Sequence, residues 1–130
     1  MGDRPSLSKG ELDVARVLWE IGPAAVRQVH EVLAKDRGMD FSTVQTYLRR
    51  LESKQYANSR LEGRIRVYSA RAKPRTVIRQ TVDELVDVLF GGETMPLVKH
   101  LIEDGDISSD QLGELKNLIE RMEQGRGEEE

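Results

Sequence analysis

A mainly α-helical fold with one small β-hairpin is the class that this sequence predicts, and three observations predict it. Apolar residues recur at helical spacing in six stretches, most of them stopped by glycine. One stretch only, Tyr56 to Ala70, gathers strand formers around a glycine turn. Charge is unevenly divided: from Ser42 to Arg79 ten basic residues face two acids, a local +8, whereas from Gln80 onward four basic residues face fourteen acids, a local −10. The formal net charge of −3 conceals that division, which suggests two jobs in one chain.

The first helix follows from Ser8 and Glu11, a capping box in which each side chain serves a free amide of the first turn. Leu12, Val14, Ala15, Val17, Leu18 and Trp19 carry the pattern to Ile21, where Gly22 and Pro23 break it. Val26, Val29, Val32 and Leu33 form a second helix that ends at Gly38. A third opens at a second capping box, Ser42 to Gln45, and carries Val44, Leu48 and Leu51. Ile65, Val67 and Tyr68 then suit a strand, with Glu62, Gly63 and Arg64 as the turn. Three short helices and a hairpin with an arginine-rich tip, in that order, are the arrangement of a winged helix-turn-helix.

Pro74 suits a first helical turn, and Ile78, Val82, Leu85 and Leu89 follow at spacings of four, three and four up to Gly91 and Gly92. Leu97, Val98, Leu101 and Ile102 mark a fifth helix that stops at Asp104 and Gly105, and they read as its buried face. A third capping box, Ser108 to Gln111, opens a last helix with Leu112, Leu115, Ile119 and Met122. These seams predict a helical dimerisation region. The expected division is a winged helix over 1–72, dimerisation helices over 73–124, and a disordered acidic tail over 125–130.

Composition narrows the function. In 130 residues, 38% apolar and 33% charged, one modest core fits and burial between two copies becomes plausible. The absence of cysteine excludes disulfides, thiolate metal sites and cysteine nucleophiles. His30 and His100 stand far apart with no recognised ligand spacing, and Glu103, Asp104, Asp106 and Asp110 do not fit a calcium loop, so no metal or cofactor is expected. No nucleophile, base and acid grouping or phosphate-cradling loop is present, so no enzyme is expected. With no long apolar run and a charged start unlike a signal peptide, the expectation is a cytoplasmic protein without a membrane partner.

On the third helix Val44, Leu48 and Leu51 point one way while Ser42, Thr46, Arg49 and Ser53 point the other, with Thr43, Arg50 and Lys54 on a flank. Small hydroxyl residues among arginines let a helix approach the major groove closely. Its amino-terminal residues and Arg49 then suit base edges, and Arg50 and Lys54 suit phosphates. Any solvated helix shows such a face, but the local +8 and the hairpin that follows favour double-stranded DNA. Arg60, Arg64 and Arg66 suit the neighbouring phosphates or minor groove, or alternatively protect a strand edge.

These residues resemble a known group. LeuSerLysGlyGluLeuAspVal, ValLeuTrpGluIleGlyPro, ValArgGlnValHisGluValLeu, SerThrValGlnThrTyrLeuArgArgLeuGlu, ArgValTyrSerAla and PheGlyGly, in that order, resemble the BlaI/MecI/CopY penicillinase-repressor family over about residues 7 to 123. The resemblance implies a bacterial winged-helix repressor of the antibiotic-resistance type, dimeric through its carboxy-terminal helices and bound to a two-fold-related operator. It places Ser42, Thr43, Gln45, Thr46 and Arg49 on the recognition helix and Tyr68 on the strand beside it. Gln55 stands where the family commonly has glycine. The copper-responsive branch has a cysteine-containing metal site, which this chain lacks. The penicillinase-type branch is inactivated by a signalling protease at an Asn-Phe bond, where this chain has His100 and Leu101. The residues leave two rivals to a homodimeric repressor: a ligand-sensing winged-helix regulator, and a helical adaptor that binds a protein partner.

Overall fold

Ser8 caps the first helix as the sequence predicts. In the computed structural model, which describes residues 4–129 without the side chains of 127–129, the Glu11 amide donates to Ser8 Oγ at 3.2 Å and Ser8 N–H donates to the Glu11 carboxylate at 2.7 Å. That box opens α1 (Lys9–Ile21), which leads through a two-residue strand β1 (Ala24–Ala25) into α2 (Val26–Arg37) and α3 (Phe41–Ser53). The hairpin strands β2 (Ala57–Glu62) and β3 (Ile65–Ala70) follow, then α4 (Pro74–Phe90), α5 (Met95–Glu103) and α6 (Ser109–Glu129). Two compact units divide inside α4, after Asp83. Among the described residues no helix is long and apolar enough to cross a membrane.

In the first unit, Val14, Val17 and Leu18 of α1, Val29 and Leu33 of α2, and Val44, Leu48 and Leu51 of α3 close one core. Each fully buried leucine or valine contributes about 1.5 to 3 kcal/mol relative to exposure. Trp19 packs against this core and donates its indole N–H to the Ala72 carbonyl at 3.0 Å, the structural role expected of it. The antiparallel sheet has the order β1-β3-β2, with Ala24 opposite Tyr68 and Glu62 opposite Ile65. Glu62 therefore belongs to β2, and Gly63 and Arg64 alone make the turn. Gly63 has φ of +65° and Arg64 does not have positive φ, the pattern of a type II′ turn with glycine first.

Two further boundaries in this unit differ from the sequence reading. The third helix is capped by Asp40, whose carboxylate accepts from Thr43 N–H at 3.0 Å, and Ser42 lies inside the first turn instead of capping it. Aspartate is at least as good a cap as serine and adds a negative charge at the positive helix end. The first unit also extends past residue 72. Val77 of α4 is buried in its core, and the Gln80 side-chain amide donates to Tyr56 Oη at 3.0 Å and to the Arg4 carbonyl at 2.9 Å. An uninterrupted helix offers no break in pattern to mark that boundary.

In the second unit Ser108 and Gln111 form the expected capping box, Ser108 N–H donating to Gln111 Oε1 at 3.0 Å. The expected disordered tail is helical as far as Glu129, because Gly125 and Gly127 weaken a helix without the blocking effect of proline; Glu130 lies outside the described residues. No residue of α5 is buried, so Leu97 and Val98 are half-covered and Leu101 and Ile102 are exposed. The buried face expected of α5 does not exist within a single chain.

Candidate nucleic-acid interface

The outer surface of α3 is built by subtraction: once Val44, Leu48 and Leu51 turn inward, Ser42, Thr46, Arg49, Arg50 and Ser53 are exposed, with Thr43, Gln45 and Tyr47 half-covered. Ser42, Thr43, Thr46, Tyr47 and Arg50 line a shallow concavity of about 180 Å³. The Arg50 guanidinium lies over the Tyr47 ring, 5.8 Å from its centroid. At the start of the helix, His30 meets Phe41 edge-on with ring centroids 5.6 Å apart, which gives this histidine a packing role. Hydrogen bonds from Thr43 hold the Asp40 carboxyl below the usual aspartate value.

Lys54 does not join that surface. Its ammonium donates to Glu11 at 2.7 Å and to the Ser6 carbonyl at 2.8 Å, and Glu11 is 1% exposed. Burial pushes the Glu11 carboxyl up, but Lys54 and the Ser8 donors together outweigh burial and leave it below the ordinary value. The sequence reading assigned Lys54 to phosphate; the structure commits it to neutralising a buried acid. Nothing local announces such a pair, because its partners are 43 residues apart.

The wing is tied to α3 through one hydroxyl. Arg66 Nη1 donates to Ser59 Oγ at 2.9 Å, and Ser59 donates to the Glu52 carboxylate. Arg66 is thereby oriented relative to α3. Arg60 is held at 2.8 Å by Glu62 on the same strand, whereas Arg64 stands exposed in the turn.

The carboxyl end of α3 carries a Schellman motif: Tyr56 N–H donates to the Leu51 carbonyl at 2.8 Å and Gln55 N–H to the Glu52 carbonyl at 3.0 Å. Gln55, with φ of +72°, takes the left-handed position that glycine fills most easily. Gln55→Gly is therefore expected to stabilise the fold by about 1 kcal/mol, less the entropy that glycine loses on folding. A urea titration checks it; an unchanged or lowered midpoint would count against strain at this residue.

A family model described as Penicillinase repressor matches residues 7–121. The chain belongs to the penicillinase-repressor family. It is 27% identical over 116 residues to the Penicillinase repressor of Bacillus licheniformis, covering 89% of this chain and 91% of that protein. With the Transcriptional regulator BlaI of Mycobacterium tuberculosis (strain ATCC 25618 / H37Rv) it shares 29% over 112 residues, 85% of this chain and 80% of that one. The solved DNA-binding domain of the repressor BlaI matches at a TM-score of 0.51 and 32% identity, covering 57% of this chain and 90% of that domain. A Staphylococcus aureus MarR structure, at 16% identity and a TM-score of 0.51 over 95% of this chain, shares the fold. As a member of the penicillinase-repressor family the chain is a DNA-binding transcriptional repressor and not an enzyme.

Proposed function

We propose that this penicillinase-repressor family member acts as a homodimer on a two-fold-related operator, with α3 in the major groove and the wing on the adjacent backbone. The observation that carries the dimer is apolar exposure: Leu85, Leu89, Met95, Leu112, Ile119 and Met122 are 43–62% exposed in a single chain. Ile78 and Val82 of the expected seam are exposed as well, and Leu97 and Leu115 half-covered. A lone helical unit does not leave such a surface in water, and a symmetric second copy removes it. Two recognition helices then meet half-sites about one helical turn, 34 to 36 Å, apart.

Arg49 and Arg50 are expected to act differently although adjacent. Arg49→Ala should cost about 1 to 3 kcal/mol and relax preference at one base pair per half-site. Arg50→Ala should weaken all duplexes alike and lower the salt slope by about one per subunit. Selection from a random duplex pool followed by titration at several salt concentrations tests both, and equal, sequence-independent losses would show the helix to be oriented otherwise.

A second reading has one supporting observation, a concavity of about 760 Å³ lined by Leu101, Ile107, Leu115, Leu118 and Arg121 among others. That volume is in the range of small-molecule sites, and it is equally the apolar groove that a second copy would fill. For release from DNA, His100 and Leu101 are both exposed on α5, within the span that the dimer reading assigns to the interface. Cleavage there by a signalling protease would divide the interface and turn paired binding into weak single-site binding. The mass of repressor recovered from induced cells decides: an intact chain that has left its operator supports the ligand reading and ends the proteolytic one.

A further inference from the structure

Gly10 sits inside α1, where it has no positive φ and where alanine would favour the helix more. What it permits is a contact. A Cβ on Gly10 would stand 2.5 Å from Cε2, 2.6 Å from Cζ and 2.7 Å from Oη of Tyr47, distances at which the ring must move. The phenol of Tyr47 is therefore laid on the bare first turn of α1, and its other neighbour is the Arg50 guanidinium over the ring. Tyr47 Oη makes no hydrogen bond to another described residue. Tyr47 and Arg50 thus line one concavity, beside Ser42, Thr43 and Thr46, and the phenol and the guanidinium can both donate.

We propose that Tyr47 is a further DNA-contact residue, whose hydroxyl, fixed by Gly10, holds a backbone phosphate together with Arg50. An anionic phosphodiester oxygen is the acceptor that suits two neighbouring donors, one of them cationic. The position on the flank of α3 shared with Thr43 and Arg50, turned away from Arg49, suits the sugar-phosphate wall of the groove instead of a base edge. Gly10 is a positioning residue here: it touches no DNA and sets where the phenol lies. The inference rests on the reading in which the outer face of α3 meets DNA.

The test uses the full-length chain with two probes, a duplex recovered by selection from a random pool and a mixed-sequence duplex of equal length. Tyr47→Phe, which keeps the ring on Gly10 and under Arg50, should weaken both duplexes alike, roughly ten- to a hundredfold, the effect of one hydrogen bond to a charged group. Its salt slope should stay unchanged, because no charge is removed. Gly10→Ala should weaken both at least as much while its thermal midpoint is not lowered, a combination that a merely structural role would not produce. Arg49→Ala is measured alongside. If it loses base preference while Tyr47→Phe or Gly10→Ala binds like the parent, the phosphate contact is wrong and the α3 interface survives. If Arg49→Ala also binds like the parent, the α3 interface itself is wrong and the contact falls with it.

Discussion

A fragment ending at Asp83 should bind a single half-site nearly as the full chain does, yet lose on the order of a hundredfold or more in affinity for two correctly spaced half-sites. The cut follows from the packing: ending at Arg71 would remove Ala72 and Val77 from the core and Gln80 from Tyr56, whereas Asp83 retains all three. The isolated BlaI DNA-binding domain that this chain resembles shows that a winged unit of similar extent exists alone. What the fragment lacks is Leu85, Leu89 and every apolar position of α5 and α6. Without them the second half-site no longer binds as an intramolecular event, so the gain from linkage disappears while the contacts of each α3 persist. Light scattering should find the full chain dimeric and the fragment monomeric at micromolar concentration. Equal affinity of the two for paired half-sites would sink the dimer reading.

Lys54→Met should destabilise the fold by about 3 kcal/mol at neutral pH, because it leaves a buried carboxylate without its cation. The lower end of the usual range applies, since the Lys54 side chain keeps 27% exposure. Methionine preserves most of the stem, so the effect is the charge and its hydrogen bonds. The dependence on pH has a definite sign. In the parent the Glu11 carboxyl lies below its ordinary 4.5, so its contribution is complete above that value and is lost as the pH falls through the lower folded value. In the variant only the Ser8 donors still oppose burial, so the carboxyl lies higher than in the parent and its protonation costs the folded state less. The gap between parent and variant should therefore narrow as the pH drops from 7 towards 4. Urea titrations at the two pH values measure it, and a gap that is constant or widens in acid would show that Lys54 does not neutralise Glu11.

Local chemistry in the sequence is enough to place most of the helices. Ser8 with Glu11 and Ser108 with Gln111 are contained within four residues, and both form the capping boxes expected of them. Ser42 with Gln45 has the same local form but loses to Asp40, a competing cap two positions earlier. Gln55, standing where the family commonly has glycine, proves to be left-handed. β1 escapes notice because two alanines show no alternation, and they become a strand only through pairing with Tyr68 and Val67. Lys54 looks like a surface cation until the fold brings Glu11 to it. Tyr47 was legible only as part of α3; its dependence on Gly10 joins two helices and leaves no periodic trace. For β1, Lys54 and Tyr47 what was missed is a contact between residues distant in sequence.

The two-residue turn at Gly63 and Arg64 makes the hairpin a ruler with no slack. Six-residue strands at about 3.3 Å per residue span roughly 20 Å. The inner half is anchored, by Ala57 and Tyr68 in the core and by Ser59 to Glu52, so the backbone from Arg60 to Arg66 projects beyond those anchors, with the Arg66 side chain reaching back to Ser59. That overhang is about 10 Å, equal to the rise of about three base pairs at 3.4 Å each. On the operator reading, the wing therefore samples a fixed, narrow window of backbone beside the α3 footprint. Sequence lying farther out is beyond its gauge, whatever charge its arginines carry.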